Sequence, residues 1–265
     1  MIDLHCHILP GIDDGPATVE ESIALGRVLA DAGVRTVAAT PHLRDDHPGV
    51  VPAELAQRCE ALAGEFARVD VELTVVPAGE VDLLWALEAS PADLRLASYG
   101  QWGTDLLLET PYGPLPPNFE EHLFKIALGG YRVLLAHPER NPGFQSEPDR
   151  LAELVRRGTL LQITTGSLLN PPRRSRSARL AHHLLREGLV HVIASDAHSA
   201  GASPRAPEWS ALETARDLVG PSRLAWMVEA APRAILDGLP LPPPPGIGNK
   251  MRGWMLRRTW GKGNG

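Results

Sequence analysis

Met1-Ile2-Asp3-Leu4-His5-Cys6-His7-Ile8-Leu9-Pro10-Gly11-Ile12-Asp13-Asp14-Gly15-Pro16 reads as a short apolar strand ending in two histidines two residues apart, with paired aspartates just behind. Alternate strand residues point the same way, so His5 and His7 can grip one ion while Cys6 faces away from them. The same event recurs along the chain. Leucine-rich or β-branched runs bounded by glycine, proline or polar residues predict strands over 34–40, leading to His42, and 72–76, leading to Glu80. Further runs over 105–108, 132–136, 159–163 and 191–194 lead to Glu109, His137, Thr164, and Asp196 with His198.

Helical periodicity fills the intervals. The first helix opens with a capping box from Thr18 to Glu21 and closes at Gly33. Others are expected over 53–68, 119–128, 148–157, 178–187, 209–218 and 222–236. Strand alternating with helix makes this an α/β chain with parallel pairing, and about seven such units suit a barrel better than a small open sheet. In such a barrel the C-terminal strand ends converge on one mouth. Every candidate ligand stands at such an end, whereas chance would scatter His, Asp and Glu equally onto helix faces.

A length of 265 residues with 43% hydrophobic content suits one barrel-sized domain over 1–238, followed by a segment 239–265 of different character. There Pro240 and prolines 242–245 form a stiff spacer, and Lys250, Arg252, Arg257, Arg258 and Lys262 interleave with Trp254 and Trp260. A solvated, flexible tail is the plain reading, and a basic-aromatic contact with an anionic membrane surface or acidic partner the sharper one. Only Cys6 and Cys59 are cysteines, and neither a leader nor an apolar run of bilayer length is found, so a soluble, cytoplasmic protein is expected. A formal charge of −6 argues against nucleic acid as a partner.

The strand-end groups His5, His7, Asp14, His42, Glu80, Glu109, His137, Asp196 and His198 mix imidazole with carboxylate and contain no thiolate. That set suits manganese, iron or catalytic zinc rather than a structural zinc. It exceeds what one ion needs, and a bridging glutamate would let it hold two or three. Asp14, Glu80, Glu109 and Asp196 would repel one another in a shared cavity unless cations neutralised them. Three divalent ions against these four carboxylates leave about +2, an attractive place for a phosphate dianion. Clusters of this kind generate hydroxide at neutral pH and clamp phosphoryl oxygens, which makes hydrolysis the natural reaction class. Arg140, in Pro-Glu-Arg140 just after His137, puts a guanidinium at the same mouth, and Arg205 can do likewise.

The motifs His5-Cys-His7-Ile-Leu-Pro-Gly-Ile-Asp-Asp14-Gly-Pro, Thr40-Pro-His42, Gly79-Glu80, Glu109-Thr-Pro, Ala136-His137-Pro-Glu-Arg140, Ile163-Thr164-Thr-Gly-Ser and Ser195-Asp196-Ala-His198 occur in this order. Together they resemble the polymerase-and-histidinol-phosphatase (PHP) superfamily. Within it, they resemble the bacterial manganese-dependent tyrosine-protein phosphatases of capsule and exopolysaccharide loci, over roughly residues 1–240. The resemblance implies a distorted (β/α)7 TIM-like barrel with a trinuclear centre, manganese first among the candidate metals. One ion would take His5, His7, Glu80 and Asp196; a second would share Glu80 and add Glu109 and His137; a third would take Asp14, His42 and His198. A bridging hydroxide would attack phosphorus directly, without a phosphocysteine, while Arg140 and Arg205 steady the phosphate. A phenolate of pKa about 10 leaves readily enough to dispense with a dedicated acid. The sequence departs from the pattern at Cys6, where serine is usual, and at Asn141, where an aromatic commonly follows the arginine.

A phosphotyrosine protein, such as a bacterial tyrosine kinase controlling polysaccharide export, is the first expected substrate. A small phosphomonoester of the histidinol-phosphate type is the alternative, and a degenerate scaffold a third that the retained ligand types oppose. The weakly charged run Tyr112-Gly-Pro-Leu-Pro-Pro-Asn118 beside Glu109 suits an open rim and a protein substrate. His47, His122, His182, His183 and His191 read as surface or packing residues, and Asp13 as a loop residue that spacing alone does not separate from Asp14.

Overall fold

The computed structural model describes residues 1–111, 113–201 and 205–246. Tyr112 of the expected rim, residues 202–204, and the expected basic tail with Lys250, Arg252, Trp254, Arg257, Arg258, Trp260 and Lys262 lie outside the described residues. Among the described residues nine parallel strands follow in chain order: β1 (Ile2–Cys6), β2 (Thr36–Ala39), β3 (His42–Leu43), β4 (Thr74–Pro77), β5 (Glu80–Val81), β6 (Asp105–Glu109), β7 (Arg132–Ala136), β8 (Leu160–Thr164) and β9 (Val192–Ala194). They form two sheets, ordered β1-β2-β4 and β3-β5-β6-β7-β8-β9.

The expected strand 34–40 is β2, a second short strand β3 starts at His42 beyond its end, and among the described residues the ladders do not run round as one closed sheet. The break has a local cause. Pro41 has no N–H to donate, and Gly79 N turns out of the ladder to donate to Ala97 O at 2.9 Å. A Cβ on Gly79 would sit 2.3 Å from Leu43 Cδ1, so any larger residue here would have to displace the Leu43 side chain. Beyond the break, Glu80 N reaches Pro41 O at 3.0 Å and pairing resumes between β3 and β5. On the other flank, Asp196 N donates to His5 O at 2.7 Å and His7 N to Ala197 O at 2.9 Å, which ties the segment after β9 to β1.

Strands buried on both faces read as continuous apolar runs, as parallel strands covered by helices do. Alternation still sorts them. Leu107, Leu134, Ala136, Val192 and Ala194 pack with Ile2, Leu4 and Ala38 in one cluster, while Leu106, Leu108, Leu135 and Ile193 join the larger cluster with Leu25, Leu29, Leu62 and Phe66 from the helices. Each leucine, isoleucine, valine or phenylalanine among them contributes about 1.5–3 kcal/mol.

The helices follow their sequence signals. Val19–Asp31 is capped by Thr18, whose side chain accepts from Glu21 N, while Glu21 Oε2 reaches back to Ala17 N at 2.7 Å. Phe119–Leu128 has the expected bounds. The expected single helix 222–236 is instead Pro221–Ala225, a π-helical turn Trp226–Ala230, and Ala231–Leu236. Pro232 explains the difference: it lacks an amide donor and its ring would strike a carbonyl one turn back, and the wider turn relieves both. Short helices Leu83–Glu88, Pro91–Ala97 and Pro142–Ser146, capped by Asp82, Ser90 and Asn141, fall below the length at which periodicity can be read.

Past the last helix, Arg132 Nη2 donates to Leu239 O at 2.9 Å and Trp226 Nε1 to Pro242 O at 3.0 Å, so the proline-rich spacer starts out along the protein surface. Among the described residues no helix is long and apolar enough to cross a membrane.

Candidate metal centre

The strand ends bring the sequence-predicted ligands into one group, buried except for Asp14. His5 Nε2 lies 3.3 Å from His7 Nε2, 3.3 Å from Glu80 Oε2 and 3.2 Å from Asp196 Oδ1. His7 Nε2 is also 3.3 Å from Glu80 Oε2. A second set gathers around Asp14, whose Oδ1 is 3.5 Å from His42 Nε2 and 3.3 Å from His198 Nε2. His42 Nδ1 faces Glu80 Oε2 at 3.1 Å and Glu109 Oε2 at 3.9 Å, while His137 Nε2 meets Glu80 Oε1 at 2.9 Å. The donor atoms fall into three groups compact enough to hold an ion: His5, His7, Glu80 and Asp196; His7, Asp14, His42 and His198; and His42, Glu80 and Glu109.

Two of these residues stand in backbone conformations that β-carbon sterics disfavour. His137 has φ 35° and Asp196 φ 54°. Buried contacts hold the second: Asp3 Oδ1 accepts from Ser195 N at 3.0 Å and Oδ2 from Ser195 Oγ at 2.5 Å. Burial pushes the Asp3 carboxyl up to about 6, against the pull of those donors.

Further residues that sequence reasoning did not place in the site support its ligands. Asp13 Oδ2 is 2.7 Å from His7 Nδ1 and accepts from His42 N at 3.2 Å, while Asp13 Oδ1 accepts from Gly15 N at 3.0 Å. Gln162 Oε1 lies 3.0 Å from His5 Nδ1. Such outer contacts fix the ring orientation and tautomer of a ligating histidine. Arg44 Nη1 donates to both Glu109 oxygens at 3.2 Å. The signals were present in part: Asp3 and Gln162 are polar residues inside otherwise apolar strands, and Asp13 adjoins Asp14. Cys6 is fully buried in the core, and burial holds its thiol well above the ordinary range, which suits neither nucleophile nor ligand.

Both arginines come to the mouth. Arg140 donates to Asp196 Oδ2 at 2.5 Å and to Thr164 Oγ1 at 3.1 Å, and Arg205 donates to Asp14 Oδ2 at 2.7 Å. Asn141 caps the helix Pro142–Ser146 and donates to Pro111 O at 2.5 Å and Gly113 O at 2.9 Å, tying the loop after β6 to the arginine loop.

The electrostatics fit divalent cations. Burial opposes charge on His5, yet Glu80 and Asp196 outweigh it and raise the imidazole to about 9; His7 is raised well above its ordinary value with Asp13 and Glu80 as the causes that overcome burial. The protons drawn onto these rings perform the neutralisation that a cation would perform. Burial and the neighbouring His7 lower His42 to about 4, and burial lowers His198, keeping both in the neutral form that ligates metal. Burial and Glu80 raise Glu109 to about 8, whereas the surrounding imidazoles hold Glu80 well below the usual carboxylate range despite its burial. Glu80 Oε2, His42 Nδ1 and His198 Nε2 are buried without a hydrogen bond, a cost that coordination to an ion would remove.

A family model described as capsular polysaccharide synthesis, CpsB/CapC, matches residues 1–220. The chain is similar to tyrosine-protein phosphatase YwqE of Bacillus subtilis (strain 168), 34% identical over 199 residues that cover 75% of this chain and 78% of that one. It is also similar to tyrosine-protein phosphatase CpsB of Streptococcus pneumoniae, 29% identical over 219 residues, covering 77% and 85%. Among solved structures it matches one from crystal structures of YwqE from Bacillus subtilis and CpsB from Streptococcus pneumoniae, described as unique metal-dependent tyrosine phosphatases. That match has TM-score 0.79 and 30% identity, covering 92% of this chain and 98% of the other. A resiniferatoxin-binding protein from Rhodobacter sphaeroides, 15% identical with TM-score 0.54 over 85% of this chain and 77% of that one, shares the fold alone.

Proposed function

This chain belongs to the capsular polysaccharide synthesis CpsB/CapC family, and from that premise we propose that it is a metal-dependent protein-tyrosine phosphatase. The observation that carries the reading is Glu80, one buried carboxylate within 3.3 Å of His5, His7, His42 and His137 and thus common to two of the compact donor groups. Three ions would take His5, His7, Glu80 and Asp196 for the first, Glu80, Glu109 and His137 for the second, and Asp14, His42 and His198 for the third, although the compact donor group around Glu80 and Glu109 holds His42 in place of His137. Manganese is the first candidate, with iron or zinc acceptable to the same donors.

Bound divalent ions supply a hydroxide-like nucleophile at neutral pH and neutralise the phosphoryl oxygens. Arg140 and Arg205 hold the phosphate, each exchanging its present carboxylate for a phosphate oxygen. Asp13 and Gln162 keep His7 and His5 in their ligating orientation. The seven-unit architecture reads as a distorted barrel: β2 with β3 and β4 with β5 each count as one barrel strand interrupted at Pro41 and Gly79, and the Cys6–Ala197 bridge joins the first strand to the segment after the last. Residues 1–238 form its catalytic domain, with 239–265 as an appendage.

The substrate is phosphotyrosine in a cytoplasmic protein of capsule or exopolysaccharide synthesis, a bacterial tyrosine kinase first among candidates. Steady-state hydrolysis of a phosphotyrosine peptide, a phosphoserine peptide and histidinol phosphate, in manganese and after chelation, tests this. Preference for phosphotyrosine, lost on chelation and restored by metal, is expected. Preference for histidinol phosphate would make the protein a small-molecule phosphatase, and chelator-resistant turnover would sink the mechanism.

A further inference from the structure

The helix Arg176–Arg186 carries positive charge that the described structure leaves unanswered. Arg176, Arg179, His183 and Arg186 recur at spacings of three, four and three, which puts them on one helical face, and all four are exposed. Arg173 and Arg174, also exposed, lead into that helix. None of these arginines makes an ion pair with a described acidic side chain. The helix Asp149–Arg156 and its cap Arg157 behave differently: Arg150 pairs with Glu120, and Arg156 and Arg157 pair with Glu153. On a chain with net charge −6, an unpaired arginine stripe is a local reversal of sign.

The face is indented. A cavity of about 450 Å³, lined in part by Gln145, Arg176, Arg179 and His183, adjoins one of about 1100 Å³ that shares Pro148 and His183 and takes in Arg186. Its near end reaches the segment that carries Glu139 and Arg140. Gln145 Nε2 donates to Glu139 O at 2.9 Å and to Ser177 Oγ at 3.3 Å, and Arg140 follows Glu139 directly.

We infer that this groove is the docking surface for an acidic stretch flanking the phosphotyrosine of a protein substrate. The inference rests on the phosphatase reading for the word phosphotyrosine alone; the groove's charge and shape stand apart from it. Guanidinium groups in a row recognise carboxylates bidentately. An extended chain can enter the indentation, whereas a bilayer surface cannot follow it. A peptide anchored through phosphate near Arg140 has the groove as its next contact.

The test compares a phosphotyrosine peptide flanked by Asp and Glu with the same peptide carrying Asn and Gln, and with p-nitrophenyl phosphate. It uses the full chain and its R176E/R179E and R176Q/R179Q variants. Steered association makes the expected loss for the acidic peptide on the order of tenfold in kcat/KM, carried by KM, with the salt dependence flattened. The neutral peptide and p-nitrophenyl phosphate should be turned over as before in both variants. Equal kcat/KM for acidic and neutral peptides in the unaltered protein would overturn the inference, as would a uniform loss across all three substrates. If the unaltered protein hydrolyses no aryl phosphate, the phosphatase reading fails by itself. Fluorescence anisotropy of the unphosphorylated acidic peptide then decides the groove: binding lost in R176E/R179E supports it, and tighter binding to phosphatidylglycerol vesicles or to single-stranded DNA than to the peptide overturns it.

Discussion

Asp13 and Asp14 are adjacent, chemically identical and equally close in sequence to the His5-Cys-His7 pair, yet their surroundings divide the work between them. Asp14 is partly exposed and faces His42 and His198, whereas Asp13 turns inward to the far nitrogen of His7. Spacing could not distinguish them because the division depends on the turn that Gly15 permits: a Cβ there would sit 2.3 Å from His7 O and 3.1 Å from Asp13 Oδ1. With Asp13 as the partner that orients a ligand, Asp13→Asn should weaken metal binding about 10- to 100-fold while leaving the fold intact. Titration calorimetry with manganese measures this, and unchanged affinity would return Asp13 to a purely structural role. The polar residues Asp3 and Gln162 belong to the same lesson. Each interrupts an apolar strand, which is the visible signal, but the partners that give them meaning, Ser195 and His5, lie 192 and 157 residues away.

At the scale of elements, strand and helix order was legible because periodicity and caps are local. The two sheets were not, since the kinks come from a missing amide at Pro41 and a close approach at Gly79 rather than from any change of hydrophobic pattern. The π-helical turn ahead of Pro232 was hidden in the same way, the proline being visible but not the wider turn that accommodates it. One histidine beside these elements ties fold to pH. His191 Nδ1 accepts from Leu161 N at 3.1 Å, joining the start of β9 to β8, and burial followed by Arg223 lowers its imidazole to about 3. The unfolded chain titrates near pH 6.5, so below that value it binds a proton that the folded protein refuses. This residue's contribution is thus fully present above about pH 6.5 and is lost progressively as pH falls toward 3. Urea unfolding of His191→Gln should show a shallower decline in stability between pH 6 and pH 4, and an unchanged slope would assign the acid sensitivity elsewhere.

For the whole molecule, the crowd of buried donors makes stability and metal content one quantity. Ions that bind only the folded form stabilise it by about 2.7 kcal/mol at a hundredfold excess over Kd, and each kcal/mol is worth roughly 2–4 °C in a chain of this size. Thermal unfolding should therefore move up by several degrees on adding manganese and return on chelation. A Tm indifferent to both would count against the cluster. A different consequence follows from the seam between β1 and the segment after β9. His5 and His7 precede, by about 190 residues, the Asp196 and Ala197 whose backbone bonds seat them. Contacts of such long separation form slowly. On the ribosome the first strand must wait, one edge unpaired, until the segment after β9 has emerged; if His5 and His7 hold metal, its capture comes only after that.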